Sequence, residues 1–383
     1  MDLDAFTNAN GSIVQSNQGI SVFVPRSLPP SFEYDKAITQ LIAESHTKLG
    51  RLSGIGELLP NPHILISPYL RREAVLSSKI EGTQASLADL FQYELIGTEP
   101  VESVWKRVFE VRNYVRALER GLRLVRKEGG RIDIGLIRSM HGTLLQGVRG
   151  TERNPGNFRE IQVLIGSTPR IEDATYVPRA AEYLPDLLSN LEDFIRSPPS
   201  DMPILVQCAV LHYQFEAVHP FVDGNGRIGR LLIPLFLCER NILPHALLYI
   251  SAYLESHRTE YFDRLLGVSQ RNEWKEWVAF FLTAVAHQSD EAVVNIQKLL
   301  QLKDRYETLL RKRHATQNAH LLKDILFSNP YTTIKNASEF LKVSFVTAQS
   351  TIQALVSSGI LTEITRKKRN KIFVAKEIIR NLS

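Results

Sequence analysis

The stretch His219-Pro220-Phe221-Val222-Asp223-Gly224-Asn225-Gly226-Arg227-Ile228-Gly229-Arg230 holds the densest group of chemically useful residues in the sequence. Gly224 and Gly226 admit backbone angles closed to other residues, so consecutive N–H groups can turn toward an anion where a helix begins and its dipole is positive. Arg227 and Arg230, three apart, share the first turn of that helix and can clamp phosphates through charge-assisted bonds. Asp223 suits a Mg²⁺ ion held against the same phosphates. His219 ends the preceding apolar stretch, and an imidazole of ordinary pKa near ~6.5 can take a proton from an attacking hydroxyl at neutral pH. Pro220 fixes the chain as it leaves the helix, and Phe221 is an apolar plug that seats the loop. The chemistry these types serve is proton removal beside a bound polyphosphate.

Two apolar helices, over Ile204 to Ala217 and Gly226 to Glu239, must position this loop. Residues 1 to about 34 carry Gly11, Gly19, Pro25, Pro29 and Pro30 and predict an extended arm. Helical periodicity starts with Ala37, Leu41, Ile42, His46 and Leu49, continues from about Pro68 to a stop at Gly82, and returns at Leu90 to Leu95, Val101 to Leu124 and Ile137 to Leu145. Ile161 to Ile165 and Ile171 to Val177, closed by Pro178, predict a hairpin. Further helices are expected over Leu184 to Ile195, Tyr261 to Leu266 and Trp274 to Leu300. Beyond the charged stretch Lys303 to His314, three short helices (about 320–327, 337–341 and 344–357) precede strand-like 360–364 and 372–375 around the basic turn 366–371, the order of a winged helix-turn-helix. The fold class expected is mainly α, a helical core with a small β-hairpin flap plus a C-terminal winged-helix domain. The domains expected are 1–110, an arm and helical domain, 111–302, a catalytic core, and 303–383, a linker helix and winged helix.

Composition is that of a globular chain, 44% hydrophobic and 23% charged over 383 residues. The net charge is +5, but residues 319–383 alone hold ten Lys/Arg against four Asp/Glu, so the basic character belongs to the tail and makes nucleic acid a partner to weigh there. The expected recognition helix, Ser344 to Ser357, has no Lys or Arg, and the charge sits in the wing. Cys208 and Cys238 lie inside apolar helical patterns, which predicts buried thiols, no disulfide and a reducing, cytoplasmic compartment. The polar start lacks a secretory pattern, and the longest apolar run, Leu231 to Cys238, is far short of the ~20 residues that span a bilayer, so no membrane contact is expected.

HPFVDGNGRIGR satisfies every fixed position of the Fic family signature HPFx(D/E)GN(G/K)RxxR, and HYQFEAVHPF, GNFREIQVLIG, TYVP, LYISAYLESHRTEYF and WKEWVAFFL resemble the same family over about residues 35 to 300. The resemblance implies a protein adenylyltransferase. In such enzymes the histidine activates a Ser, Thr or Tyr hydroxyl of a target protein, or of the enzyme itself, to attack the α-phosphorus of ATP and expel pyrophosphate. It implies His219 as base, Asp223 as Mg²⁺ ligand, Gly224, Asn225, Gly226, Arg227 and Arg230 on the phosphates, and His257 and Tyr261 on the rest of the ATP. His257 stands where family members often carry asparagine. Ile161, Val163, Leu164 and Ile165 resemble the flap that docks a target segment by strand addition.

Ser77-Ser78-Lys79-Ile80-Glu81-Gly82 resembles the family's inhibitory pattern (S/T)xxxE(G/N). Ser77 and Glu81 share a helical face, and with Gly82 ending the helix Glu81 can reach Arg230, where a γ-phosphate would sit. By itself Glu81 reads as a solvated helix-end carboxylate, and His46, His63, His141 and His287 read as structural. His212 and His219 are separated by about 10 Å of helical rise, too far to share a metal. Two other readings stand beside transfer: a DNA-binding regulator whose core senses nucleotide, and a de-AMPylase that uses Glu81 in removing AMP. The partners open to the chain are ATP, a target protein, DNA or protein at the winged helix, and a second copy in a homodimer.

Overall fold

The computed structural model describes residues 1–59, 62–96, 102–127, 129–147, 154–166, 168, 170–365 and 370–382. The side chain of His63 and wing residues 366–369 lie outside the described residues.

At the centre, α7 (Ile204–Val218) and α8 (Asn225–Glu239) pack side by side and are buried almost all round, as expected of helices without a polar face. Around them pack α4 (Glu102–Val125), α5 (Ile134–Leu144) and α6 (Leu184–Arg196). Asp133 starts α5 by accepting from Leu136 N at 2.6 Å, an N-cap that satisfies an otherwise orphan donor. A long helix, α11 (Trp274–Lys312), runs beside α7, and α1 (Lys36–Leu58) lies along it. It continues past the expected Leu300, because Leu302, Tyr306 and Leu310 keep one face buried through the charged stretch.

The inhibitory candidate is on α2 (Pro62–Ile80), packed against α4, α8 and α9 (Ser251–Ser256). Its end is a Schellman turn: Gly82 takes φ +88°, Gly82 N donates to Lys79 O (2.9 Å) and Thr83 N to Ser78 O (3.0 Å). α3 (Leu87–Ile96) follows, and α10 (Arg258–Arg271) comes between α9 and α11.

Two strand regions differ from expectation. The arm carries an antiparallel hairpin, β1 (Gly11–Gln15) with β2 (Ser21–Pro25), and Phe23 N donates to Val177 O (2.8 Å), so the arm lies against the flap stem. The flap strands shrink to β3 (Ile165–Gly166) and β4 (Ala174–Tyr176), with a register shift between Ile165 and Gly166. The physical reason is that side chains take the backbone groups before them: Arg159 Nη1 donates to Ile161 O, and Gln162 Nε2 to Val163 O and Pro178 O. The C-terminal part holds α12 (Gln317–Leu326), α13 (Ile334–Leu341), α14 (Phe345–Ser357) and α15 (Lys376–Arg380). With them is an antiparallel sheet of β5 (Tyr331–Thr333), β6 (Thr362–Glu363) and β7 (Ile372–Val374), in spatial order β5-β7-β6.

No helix among the described residues is long and apolar enough to cross a membrane.

Candidate active site

α7 stops at Val218 because His219 turns into the left-handed region, φ +49°, while its N–H still donates to Phe215 O (3.0 Å). The His219 Nδ1–H faces Glu216 O at 3.2 Å, which leaves Nε2 as the basic nitrogen in a cleft of about 470 Å³. Burial, aided by the nearby Arg159 charge, lowers the His219 pKa to about 4, so the imidazole is neutral at physiological pH.

The following loop is tied from within. Asn225 donates through Nδ2 to Phe221 O (2.8 Å) and accepts from Phe221 N (2.9 Å), so its side chain closes the loop rather than facing the cleft. Gly224 adopts φ +82° just before α8, a conformation that disfavours any side chain. Phe221 stacks on the His141 ring at 3.7 Å and 9°. His141 accepts from Gly156 N at Nδ1 (2.9 Å), so Nε2 carries the proton and donates to Asp223 O (2.9 Å). The structural reading of His141 therefore includes a role in holding the loop, and burial lowers its pKa to about 4.

Arg227, 5% exposed, approaches Asp223 Oδ1 at 3.3 Å, and Asp223 Oδ1 also accepts from Gly224 N (2.7 Å). Arg230 is 1% exposed. It donates from Nε to Ser77 Oγ (2.8 Å), and from Nη2 to Ser77 O (3.0 Å) and to Glu81 Oε1 (2.6 Å). Its Nη1 is buried without a hydrogen-bond partner among the described residues. Glu81, Gly226, Arg230 and His219 line one cleft, and Gly226 faces Glu81 so closely that a Cβ there would overlap Oε1.

Tyr261 lines the cleft with its hydroxyl on His212 Nε2 (2.8 Å). His257 is not brought in: its exposed ring stacks on Tyr253 (4.1 Å), because the end of α9 turns it onto that face. Arg258, not singled out in the sequence, lines the cleft instead and donates from Nε to Ile80 O (3.0 Å), tying α10 to the end of α2. Of the flap residues, Ile165 lines the cleft, Ile161 is 60% exposed, and Val163 and Leu164 are half-buried outside the strand. Glu216 was also not singled out. It lines the cleft with a buried Oε1 lacking a hydrogen-bond partner among the described residues, and burial raises its pKa to about 8.

Among the described residues no group of three or more His, Cys, Asp or Glu is placed to hold a metal. Asp223, a single carboxylate beside the N-terminus of α8, fits the manner in which Mg²⁺ binds, through one or two carboxylates together with phosphates and water.

A mainly helical fold thus brings a neutral histidine, a glycine at a helix start and the buried Arg230 to one cleft. Two family models match the sequence, Fic/DOC family N-terminal over residues 39–123 and Fic/DOC family over 131–237, together half of the chain. The chain belongs to the Fic/DOC family. It is 32% identical over 122 residues to protein adenylyltransferase fic-1 of Caenorhabditis briggsae, a match covering 32% of this chain and 22% of that protein. It is 22% identical over 326 residues to a probable protein adenylyltransferase of Aquifex aeolicus, covering 83% of this chain and 90% of that protein. The chain thus spans about a fifth of the nematode relative and most of the bacterial one. In fold it is similar to a Fic family protein from Desulfovibrio desulfuricans, with TM-score 0.58, 20% identity and coverage of 91% of this chain and 98% of that one. Residues 134–508 of Fic-1 from C. elegans give TM-score 0.54 and 21% identity, covering 68% and 74%.

Proposed function

We propose that this chain transfers AMP from ATP to a Ser, Thr or Tyr hydroxyl of a protein, and that Glu81 restrains the reaction. The observation that carries the reading is the neutral His219 imidazole, with Nε2 in the same cleft as Gly226 and Arg230. In the transfer, Nε2 takes the hydroxyl proton, the oxygen forms a bond to the α-phosphorus, and the bond to the β-phosphate bridging oxygen breaks to release pyrophosphate. Asp223 would hold Mg²⁺, which supplies charge neutralisation on the phosphates. The N–H groups at the start of α8 would meet the phosphate oxygens, and Arg230 would take the γ-phosphate. Glu81 occupies Arg230 Nη2 in the structure, so ATP must displace a carboxylate to bind with its phosphates in line. Restraint by such a contact requires only ~2.7 kcal/mol to keep ~99% of molecules closed, within reach of one charge-assisted bond to a buried guanidinium.

The test is intact-mass and peptide mass spectrometry after incubation with ATP and Mg²⁺, comparing wild type, Glu81→Gly, and Glu81→Gly with His219→Ala. AMP added by the single variant and not by the double one supports the reading. If Glu81→Gly binds ATP but modifies neither itself nor any lysate protein, transfer is wrong. If wild type strips AMP from modified proteins and Glu81→Gly does not, the carboxylate serves removal of AMP instead.

A further inference from the structure

Arg159 lies outside the signature loop, yet it bonds the backbone at the turn that begins it. It is 2% exposed, and the partners of its guanidinium are main-chain carbonyls. Nε donates to His219 O (2.9 Å), Nη1 to Ile161 O (3.3 Å), and Nη2 to Arg179 O (2.5 Å) and Val218 O (3.5 Å). Its own N–H donates to Pro220 O (2.9 Å). One residue thereby holds three consecutive carbonyls, 218 to 220, at the turn that aims the imidazole, together with both stems of the flap, at 161 and 179.

A buried guanidinium with only neutral partners is an expensive way to fill space, because burial disfavours the charged form. That penalty lowers the Arg159 pKa to about 10, which still leaves it charged at neutral pH. A planar fork with donors along two edges is the side chain able to reach strand stems and a helix end at once, which an ammonium cannot do.

We propose that Arg159 is a positioning residue that ties the flap to the general base, so that a hydroxyl seated on the flap is presented to His219 at a fixed height. The proposal rests on the assignment of His219 as base. Glu81, Glu216, Arg230 and Arg258 line the cleft with the imidazole, Glu216 also accepting from it through its main-chain carbonyl, and the charges that act on the ring are those of Glu81, Asp223 and the cation Arg159. Its charge favours the neutral, proton-accepting form of His219.

The experiment uses the full chain carrying Glu81→Gly as parent, with Arg159→Lys and Arg159→Gln added separately. Three readouts are taken: titration of the His219 ring by NMR of ¹³C-histidine-labelled protein, assigned against His219→Ala; hydrogen exchange of amides in 161–166 and 174–179; and AMP incorporation into the chain itself from Mg·ATP. The glutamine variant, which removes the charge, is expected to move the His219 titration upward by about one pH unit. The lysine variant keeps the charge and is expected to leave that titration in place. Both lose the fork, so both are expected to speed flap exchange and slow AMP incorporation by about 10- to 100-fold.

An unchanged His219 titration in the glutamine variant together with unchanged flap exchange in the lysine variant overturns the proposal. So does equal loss of thermal stability and activity in both with the titration unmoved, the pattern of a merely structural arginine. Because titration and exchange do not depend on turnover, these two readouts decide the role of Arg159 even where the parent adds no AMP to itself, an outcome that bears on the transfer reading alone.

Discussion

Arg230 and Glu81, 149 residues apart in the chain, meet at 2.6 Å in a cleft that also holds the His219 imidazole. The arginine is buried while the Glu81 side chain keeps 36% exposure, so the contact pairs a fixed partner with a displaceable one. That asymmetry suits a latch, since the carboxylate regains water when it leaves.

Glu81→Gly should therefore raise AMP incorporation by roughly 100-fold if the contact is worth about 2.7 kcal/mol, with a matching gain in Mg·ATP affinity measured by calorimetry. A rate gain without tighter ATP binding would argue that Glu81 acts on alignment alone.

Gly226→Ala provides the contrasting case. A methyl at this position overlaps Glu81 Oε1 and crowds Arg230 Nη1, so it displaces the carboxylate while filling the space that the proposed function gives to phosphate. Mg·ATP affinity is expected to fall on the order of tenfold or more below that of Glu81→Gly. Calorimetry on the two variants side by side checks it.

Ser77→Ala removes the acceptor of Arg230 Nε inside the core. Leaving a buried charged donor unsatisfied should cost about 1–3 kcal/mol of stability in urea unfolding, a larger loss than expected for Glu81→Gln, whose carboxylate is partly solvated.

The pH dependence follows from His219. With its pKa lowered to about 4, the base form dominates above that value, so kcat/KM of Glu81→Gly should fall only as pH drops toward about 4. At pH 5.5 most of the plateau rate should remain, whereas an imidazole of ordinary pKa near ~6.5 would keep about a tenth. Removing Glu81 also removes a charge that raises the His219 pKa, so the limb in this variant moves further down, not up.

His141 makes a separate statement about stability. Its folded pKa, about 4, is below the unfolded value, so it stabilises fully above pH ~6.5 and loses that contribution as pH falls toward 4, where the unfolded chain binds a proton that the folded ring refuses. The stability gap between wild type and His141→Gln should accordingly narrow across this window, which thermal melts at several pH values will show.

The catalytic loop was legible because its residues are contiguous and their types are demanding: glycines at a helix start, arginines three apart, a histidine at a helix end. Glu81 was legible only through the resemblance of Ser77 to Gly82 to the family's inhibitory pattern, since by itself it reads as a solvated helix-end carboxylate. Arg159, His141, Glu216 and Arg258 were not, since their meaning lies in contacts made across scores of residues, and an arginine whose partners are carbonyls leaves no complementary charge in the sequence. His257 was misplaced for the converse reason, as its neighbour Arg258 faces the cleft one position on. The arm was read as extended because Gly and Pro hid the alternation in Ser21–Pro25, and the flap strands were read too long because side chains claimed the backbone groups a ladder would use.

Finally, α11 runs for 39 residues without a glycine or proline, roughly 58 Å of uninterrupted rod. Near one end Trp277 Nε1 holds Ala209 O on the helix that leads to His219; near the other, Tyr306 and Glu307 hold Glu377, His320 and Lys323 of the C-terminal part. A shaft clamped at both ends and lacking a joint transmits torque rather than absorbing it. A load applied to the far end meets no glycine or proline hinge before it reaches the helix that ends at Val218.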